Sequence, residues 1–186
     1  MTEITPSIRK RLWEVALDQN GYVTSEDARK LGIPVVELGK LAYHGRLQRV
    51  AYGIYRFDEL PVTPVDSYQL AVLWAGGRAV LSHDTALDLY ELCDINPSKI
   101  HLTVPPGYRP RRKGGQLYVV HHERLASDAI GRVEGVPAVK PRIAIAQCTR
   151  GGVPSHLLNQ AIETARARGL ISVTEQGTFS DELRAR

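Results

Sequence analysis

Two groups of basic side chains are the residues of this sequence best suited to chemistry, because each places several cations within a few positions. The first group combines cations with a histidine: Lys40, His44, Arg46 and Arg49. The second lies between a proline pair and a glycine pair: Arg109, Arg111, Arg112 and Lys113. Cations contact phosphate oxygens, and hydrogen-bonding side chains beside them can contact base edges. A nucleic acid is therefore a candidate partner.

The second group has two interpretations of equal weight. Four cations in five positions repel one another, which favours a nearby anion, either a phosphate or the acidic surface of another protein. A solvated hairpin tip also tolerates dense charge. The sequence leaves this choice open.

The candidates for catalysis are weaker. Ser82, His83 and Asp84 have the residue types of a hydrolytic triad, but they are consecutive, whereas a triad joins separated segments. We predict instead that Ser82 is a helix N-cap and that Asp84 lies in the first turn. Neither GxxxxGK[ST] nor GxGxxG is present. We therefore predict a protein without catalytic residues or a cofactor.

The remaining histidines do not predict a metal site. His121 and His122 are adjacent in a strand-like segment, so their rings point to opposite faces. His101 and His122 could meet across paired strands, but the sequence indicates no third ligand. We interpret all three as structural histidines and predict that no metal is bound.

Composition indicates a globular protein. The 186 residues are 43% hydrophobic and 24% charged, and 24 basic against 20 acidic side chains give a net charge of +4, which permits a nucleic-acid partner without requiring one. The longest apolar run, 70–75, is far shorter than a membrane span. The two cysteines have no CxxC spacing. We expect a cytoplasmic protein in a reducing compartment.

The elements that must position the first basic group are three short helices and a hairpin. Apolar residues at helical spacing predict the helices at 7–20, 24–31 and 34–44. Alternation after Gly45 predicts two strands within 47–57, which form a wing. Two helices joined by Gly32-Ile33-Pro34 and followed by this wing are typical of a winged helix-turn-helix in residues 1–60.

The third helix is the predicted recognition element. If Leu38, Leu41 and Ala42 face the core, the helical period exposes the opposite side. The outward residues that could contact DNA are Val36, Lys40, Tyr43 and His44. The alternative is an ordinary solvated face, on which Glu37 repels phosphate.

Further cations flank this helix. Arg46 and Arg49 lie on the first wing strand, where they can contact the backbone or the minor groove, and Arg29 and Lys30 end the second helix, close to phosphate. Residues 58–64 lack periodicity and contain two prolines, which predicts a linker. Residues 65–186 alternate between helical and strand-like segments. The predicted fold class is α+β, a winged helix followed by a mixed α+β domain.

Spaced segments of the chain together resemble one family. They are Gly21-Tyr22-Val23-Thr24, Ala28, Leu31-Gly32-Ile33, Leu38, Leu41, Gly45-Arg46-Leu47, Val50, Gly53-Ile54-Tyr55-Arg56, residues 79–87 and Ile100-His101-Leu102-Thr103-Val104-Pro105. This series is similar to the AbiEi-type antitoxins of type IV toxin–antitoxin systems, and it is strongest in residues 7–57 and 79–105.

The resemblance implies a repressor of its own operon. Its winged helix would bind inverted repeats of double-stranded operator DNA, with possible self-association there, and residues 65–186 would form the antitoxin domain. The partner gene would encode a nucleotidyltransferase-like toxin, and direct contact with that toxin is left open. Two other functions stay open: a plain winged-helix regulator with a ligand-sensing or dimerising C-terminal domain, and a nuclease targeted by a winged helix.

Overall fold

The computed structural model describes residues 6–186 and divides the chain into two compact units. The first unit ends at Trp74, and the second runs from Ala75 to Arg186. The sequence placed the boundary in the segment 58–64 instead. The helix after that segment therefore belongs to the first unit, to which a buried ion pair joins it.

The first unit combines helices with a small antiparallel sheet. Its elements are α1 (Ile8–Leu17), β1 (Tyr22–Thr24), α2 (Ser25–Lys30), α3 (Val35–Tyr43), β2 (Gln48–Ala51), β3 (Ile54–Arg56) and α4 (Asp66–Trp74). The strand order is β1-β3-β2. The three predicted helices and the hairpin are present, whereas the third strand, β1, was not predicted.

Side-chain caps fix where the first helices begin. The Ser7 hydroxyl accepts a hydrogen bond from the Lys10 amide at the start of α1. At α2, the Thr24 hydroxyl accepts from the Asp27 amide while the Asp27 carboxylate accepts from the Thr24 amide, which is a capping box. Gly45 follows α3 with a positive φ of 66°, a conformation that glycine adopts without steric cost.

Alternation along β1 and β3 gives the small sheet two buried faces. Val23 pairs with Tyr55, and both belong to the apolar core formed with the first three helices. Tyr22 and Ile54 point the other way and pack with Leu73 of α4. The wing is therefore held between the helix-turn-helix and α4, both within the first unit.

A buried ion pair joins β3 to α4. Arg56 Nη2 lies 3.1 Å from Asp66 Oδ2, and the two residues are only 6% and 7% exposed. The guanidinium also donates to the carbonyl oxygens of Phe57, Leu60 and Pro61. The second Asp66 oxygen accepts from the amide and hydroxyl of Thr63. Both charges are thus hydrogen-bonded, which burial requires.

The second unit is a five-stranded mixed sheet with helices. Its elements are β4 (Val80–Leu81), α5 (His83–Leu89), β5 (Ile100–Val104), a 3₁₀ turn (Gly115–Leu117), β6 (Tyr118–His122), a second 3₁₀ turn (Ser127–Ala129), β7 (Ile130–Val133), β8 (Val136–Val139), α6 (Pro141–Arg150), α7 (Ser155–Ala167) and α8 (Val173–Arg184). The strand order is β6-β5-β4-β8-β7. The predicted mixed α+β fold class is confirmed.

Both parallel and antiparallel pairs occur in this sheet. β5 pairs in parallel with β6, and β4 in parallel with β8, whereas β4–β5 and β7–β8 are antiparallel. Val80 and Val139 contribute to an apolar core with α5, α6, α7 and α8. No helix in residues 6–186 combines the length and apolar character needed to cross a membrane.

The buried ion pair predicts a stability effect. We expect Asp66→Ala to lower the free energy of unfolding of the first unit by about 3–5 kcal/mol, because the Arg56 charge stays buried without its partner. Both tryptophans, Trp13 and Trp74, lie in this unit, so tryptophan fluorescence during urea unfolding reports it. Glu26→Ala is the control, since its ion pair with Arg29 in the same unit is solvent-exposed and should contribute less than about 1 kcal/mol. Equal effects of both substitutions would contradict the prediction.

Candidate nucleic-acid interface and histidine cluster

Helix α3 presents an exposed face on the side opposite the core. Leu38 is fully buried, whereas Val36 is 61% and Tyr43 is 88% exposed. Lys40 and His44 are also exposed. The structure thus places the four predicted residues of this helix on its solvent side, as the 3.6-residue period requires.

The exposed face of α3 contains one internal ion pair. Lys40 Nζ lies 2.6 Å from Glu37 Oε1, one turn earlier on the helix. The Tyr43 and His44 rings meet edge to face, with centroids 5.3 Å apart. A ligand anion that contacts Lys40 must therefore compete with the Glu37 carboxylate.

The wing adds cations and an aromatic residue. Arg46 and Arg49 are exposed, and the Arg49 guanidinium lies 5.8 Å from the centre of the Tyr52 ring. Tyr52 is 78% exposed at the hairpin turn. Tyr52 was not among the residues predicted to contact DNA, although an aromatic residue directly before the turn glycine Gly53 was a usable signal.

Helix α2 contributes the last two cations of this unit. Arg29 and Lys30 are exposed at its C-terminal end, as predicted. The Arg29 guanidinium lies 3.4 Å from the Glu26 carboxylate, a contact between two well-exposed groups. Such surface pairs are weak, so Arg29 stays available to an anion.

The second basic group lies in a loop of the second unit. Arg109, Arg111 and Lys113 are exposed, and Arg112 is half-buried. Tyr108 holds the start of this loop, because its hydroxyl donates to the Ala75 carbonyl at 2.8 Å and its carbonyl contacts the His122 ring at 3.0 Å. The cations therefore extend from a fixed base.

Three histidines of the second unit lie together. One ring nitrogen from each of His83, His101 and His121 lies within 4.8 Å of the other two. His101 Nδ1 and His121 Nε2 are 3.1 Å apart, and the His83 and His121 rings stack with centroids 3.7 Å apart. All three rings are half-buried, and they come from α5, β5 and β6 respectively.

The cluster depends on strand pairing that the sequence does not display. The possible contact between His101 and His122 is wrong: in the parallel β5–β6 register Thr103 pairs with His121, and the nearest histidine to His101 on this face is His121. His122 points to the opposite face. The third member, His83, belongs to the serine–histidine–aspartate sequence that was assigned to helix capping.

The residues around His83 only partly follow the capping prediction. Ser82 occupies the N-cap position of α5 and Asp84 its first turn, but the Ser82 hydroxyl makes no capping hydrogen bond. It lies 3.0 Å from His83 Nδ1 instead. His83 has a φ of 55°, a left-handed conformation that costs a non-glycine residue about 1–2 kcal/mol. Its backbone amide donates to Gln147 Oε1 at 3.1 Å, which holds this conformation.

The environment of the cluster favours neutral rings. Burial, followed by the neighbouring rings of His121 and His101 and by Arg150, lowers the pKa of His83 to about 3. Burial and the His101 ring also lower the pKa of His121, against the opposing effects of Asp84 and Glu123. At neutral pH, both rings therefore keep a lone pair available to a ligand.

Comparison with known families gives a match within the first unit. Residues 10–57 match the family model described as transcriptional regulator, AbiEi antitoxin. The chain is similar to the AbiEi antitoxins. The predicted resemblance is confirmed by this match, which runs from within α1 to just past β3 and supports an antitoxin or regulator role. Among curated proteins, no significant match was found.

A solved structure is similar in fold over a longer part of the chain. The chain is similar to the RV2827C protein from Mycobacterium tuberculosis, with a TM-score of 0.52 and 18% sequence identity. The alignment covers 94% of this chain and 71% of that one. At this level of identity, the likeness shows a shared fold alone.

The lowered pKa of His83 predicts a pH dependence. With EDTA present to exclude cations, we expect the free energy of unfolding to fall as the pH drops from about 6.5 towards about 3. The unfolded ring takes up a proton in this range while the folded ring does not, which contributes up to about 1.4 kcal/mol per pH unit.

Urea unfolding followed by circular dichroism at several pH values measures this slope. His83→Gln should flatten it, whereas His156→Gln, an exposed histidine on α7, should leave it unchanged. A slope that is the same in wild type and His83→Gln would refute the assignment to His83.

Proposed function

We propose that this protein is an antitoxin of a type IV toxin–antitoxin system that binds operator DNA, represses its own operon and counteracts a nucleotidyltransferase-like toxin. It acts without catalysing a reaction, in the cytoplasm where its operator lies. The observation that carries the proposal is the exposed, cation-bearing face of α3 within a segment that matches the AbiEi antitoxin family.

Recognition by the first unit divides between α3 and its flanks. Val36, Lys40, Tyr43 and His44 lie on the face that enters the major groove, where apolar and hydrogen-bonding groups contact base edges. Arg46 and Arg49 of the wing, together with Arg29 and Lys30 of α2, contact phosphates. The Arg49 guanidinium lies 5.8 Å from the centre of the Tyr52 ring, and this cation–π contact restricts the Arg49 side chain in the unbound protein.

The second unit has two parts in the proposal. It counteracts the toxin, and its basic loop contributes further contacts to the operator through Arg109, Arg111, Arg112 and Lys113. Inverted repeats place two copies of the protein on one operator, so self-association on DNA accompanies binding. Whether neutralisation requires contact with the toxin is decided by co-purification of the two proteins.

Loss of two proposed phosphate contacts should change the salt dependence of binding. We expect Lys40→Ala with Arg49→Ala to weaken operator binding and to flatten the log–log salt slope by about 0.9 for each lost phosphate contact. Glu37→Gln should have the opposite effect on affinity, because it removes the carboxylate 2.6 Å from Lys40. Gel shifts at several salt concentrations measure both effects.

The matched control for these variants is Arg184→Ala, which removes an exposed, paired cation from α8. It should leave both affinity and slope unchanged. An unchanged slope in the Lys40→Ala, Arg49→Ala variant would remove these two residues from the interface.

Repression and neutralisation should be separable in the full chain. The Lys40→Ala, Arg49→Ala variant is expected to lose repression of a reporter fused to its own promoter, because α3 and the wing contact DNA. It should still restore growth when co-expressed with the nucleotidyltransferase-like neighbour, because the second unit is intact. Failure of the wild type to restore growth, with repression retained, would favour the plain regulator instead.

A nuclease activity would give a different result. A protein that only binds DNA protects it, whereas a nuclease cleaves it repeatedly in the presence of Mg²⁺ or Mn²⁺. Sustained cleavage by the purified protein that ends on EDTA addition would overturn the non-enzymatic proposal.

A further inference from the structure

The histidine cluster of the second unit has no part in the proposed recognition of DNA. We propose that His83, His101 and His121 bind one Zn²⁺ ion per chain, with a fourth coordination position left for water or an added ligand. This inference rests on the geometry of the second unit and does not depend on the proposed function of the first.

The distances between ring nitrogens are close to those of a bound ion. Zinc–nitrogen bonds of 2.0–2.1 Å in a tetrahedral site separate two ligand nitrogens by about 3.3–3.4 Å. His101 Nδ1 and His121 Nε2 are already 3.1 Å apart, and one nitrogen from each of the three rings lies within 4.8 Å of the others. From the upper limit of 4.8 Å, the widest separation has to close by no more than about 1.5 Å on binding.

Regular elements hold these three side chains. His101 and His121 lie on the same face of two directly hydrogen-bonded parallel strands, so their separation is set by the sheet. His83 is fixed at the start of α5 by the Gln147 hydrogen bond to its amide and by the Ser82 hydroxyl at its ring. A site on such a framework needs little reorganisation to bind a cation.

Acidic groups next to the cluster complete the environment of a cation. Asp84 Oδ1 lies 3.6 Å from His101 Nε2, the nitrogen that does not face His121. A carboxylate at the far nitrogen of a ligand histidine is the common outer-sphere partner of zinc, because it orients the ring and increases its basicity. Glu123, held by the Gln147 amide at 2.8 Å, adds a second negative charge. Arg150 opposes it from 3.8 Å away.

The ligand types select the class of metal. Three imidazole nitrogens suit Zn²⁺ and its transition-metal neighbours, whereas Mg²⁺ and Ca²⁺ prefer oxygen ligands. No thiolate belongs to the cluster. Three protein ligands with an open fourth position is the pattern of zinc sites that bind water, in contrast to the four protein ligands of closed structural sites.

Isothermal titration of the full chain with ZnCl₂, after treatment with a chelator, tests the proposal. We expect one Zn²⁺ ion per wild-type chain at micromolar concentration or below. His101→Gln and His121→Gln should each weaken binding by more than about 100-fold, and Asp84→Asn, which alters an outer-sphere partner, by about 10–100-fold. His122→Gln is the matched control, since it changes the adjacent residue on the opposite face of β6, and it should retain wild-type affinity.

A second measurement uses only the wild-type protein, so it decides the matter even if a variant misfolds. The chain has six histidines. In NMR spectra, Zn²⁺ should shift the imidazole nitrogen resonances of three of them, His83, His101 and His121. Absence of Zn²⁺ binding to the wild type would overturn the proposal. Shifts at His44, His122 or His156 in place of the cluster, or equal loss of affinity in His122→Gln, would also overturn it.

Discussion

The buried ion pair between Arg56 and Asp66 is the interaction on which the first unit depends. Arg56 ends the last wing strand, and Asp66 begins the helix that covers the wing, so one contact fixes both elements. The guanidinium also binds three carbonyl oxygens of the connecting segment, which gives a chain without regular structure a defined path. The positions of the wing and therefore of Arg49 and Tyr52 rest on a charge that cannot be exposed or left unpaired.

Local signals were sufficient for the helix-turn-helix. The Thr24–Asp27 capping box, the glycine after α3 and the apolar spacing around Leu38 all act over a few residues, and a sequence displays such signals directly. The third strand, and the membership of α4 in the first unit, were missed because both depend on partners that are distant in sequence. Three residues of β1 show no alternation that differs from a loop, and the partner of Asp66 is ten positions away.

The candidate sites show the same division. The outward face of α3 follows from helical period alone, so Val36, Lys40, Tyr43 and His44 could be named in advance. The histidine cluster could not, because its members are 18 and 20 positions apart and meet only through the parallel β5–β6 register and a left-handed backbone at His83. Ser82, His83 and Asp84 were interpreted as the start of a helix, and nothing local indicated which strands would lie beside His83.

The alternation of β1 and β3 between two apolar cores limits how this wing can change. A single inserted or deleted residue in either strand would move every following side chain to the other core, exchanging Tyr55 for Ile54 and placing the Arg56 charge among the helices. Tyr52 in the turn has no such restriction, since it is 78% exposed. Diversification among relatives should accordingly concentrate at the position of Tyr52 and on the outer surface of α3, while strand length stays constant.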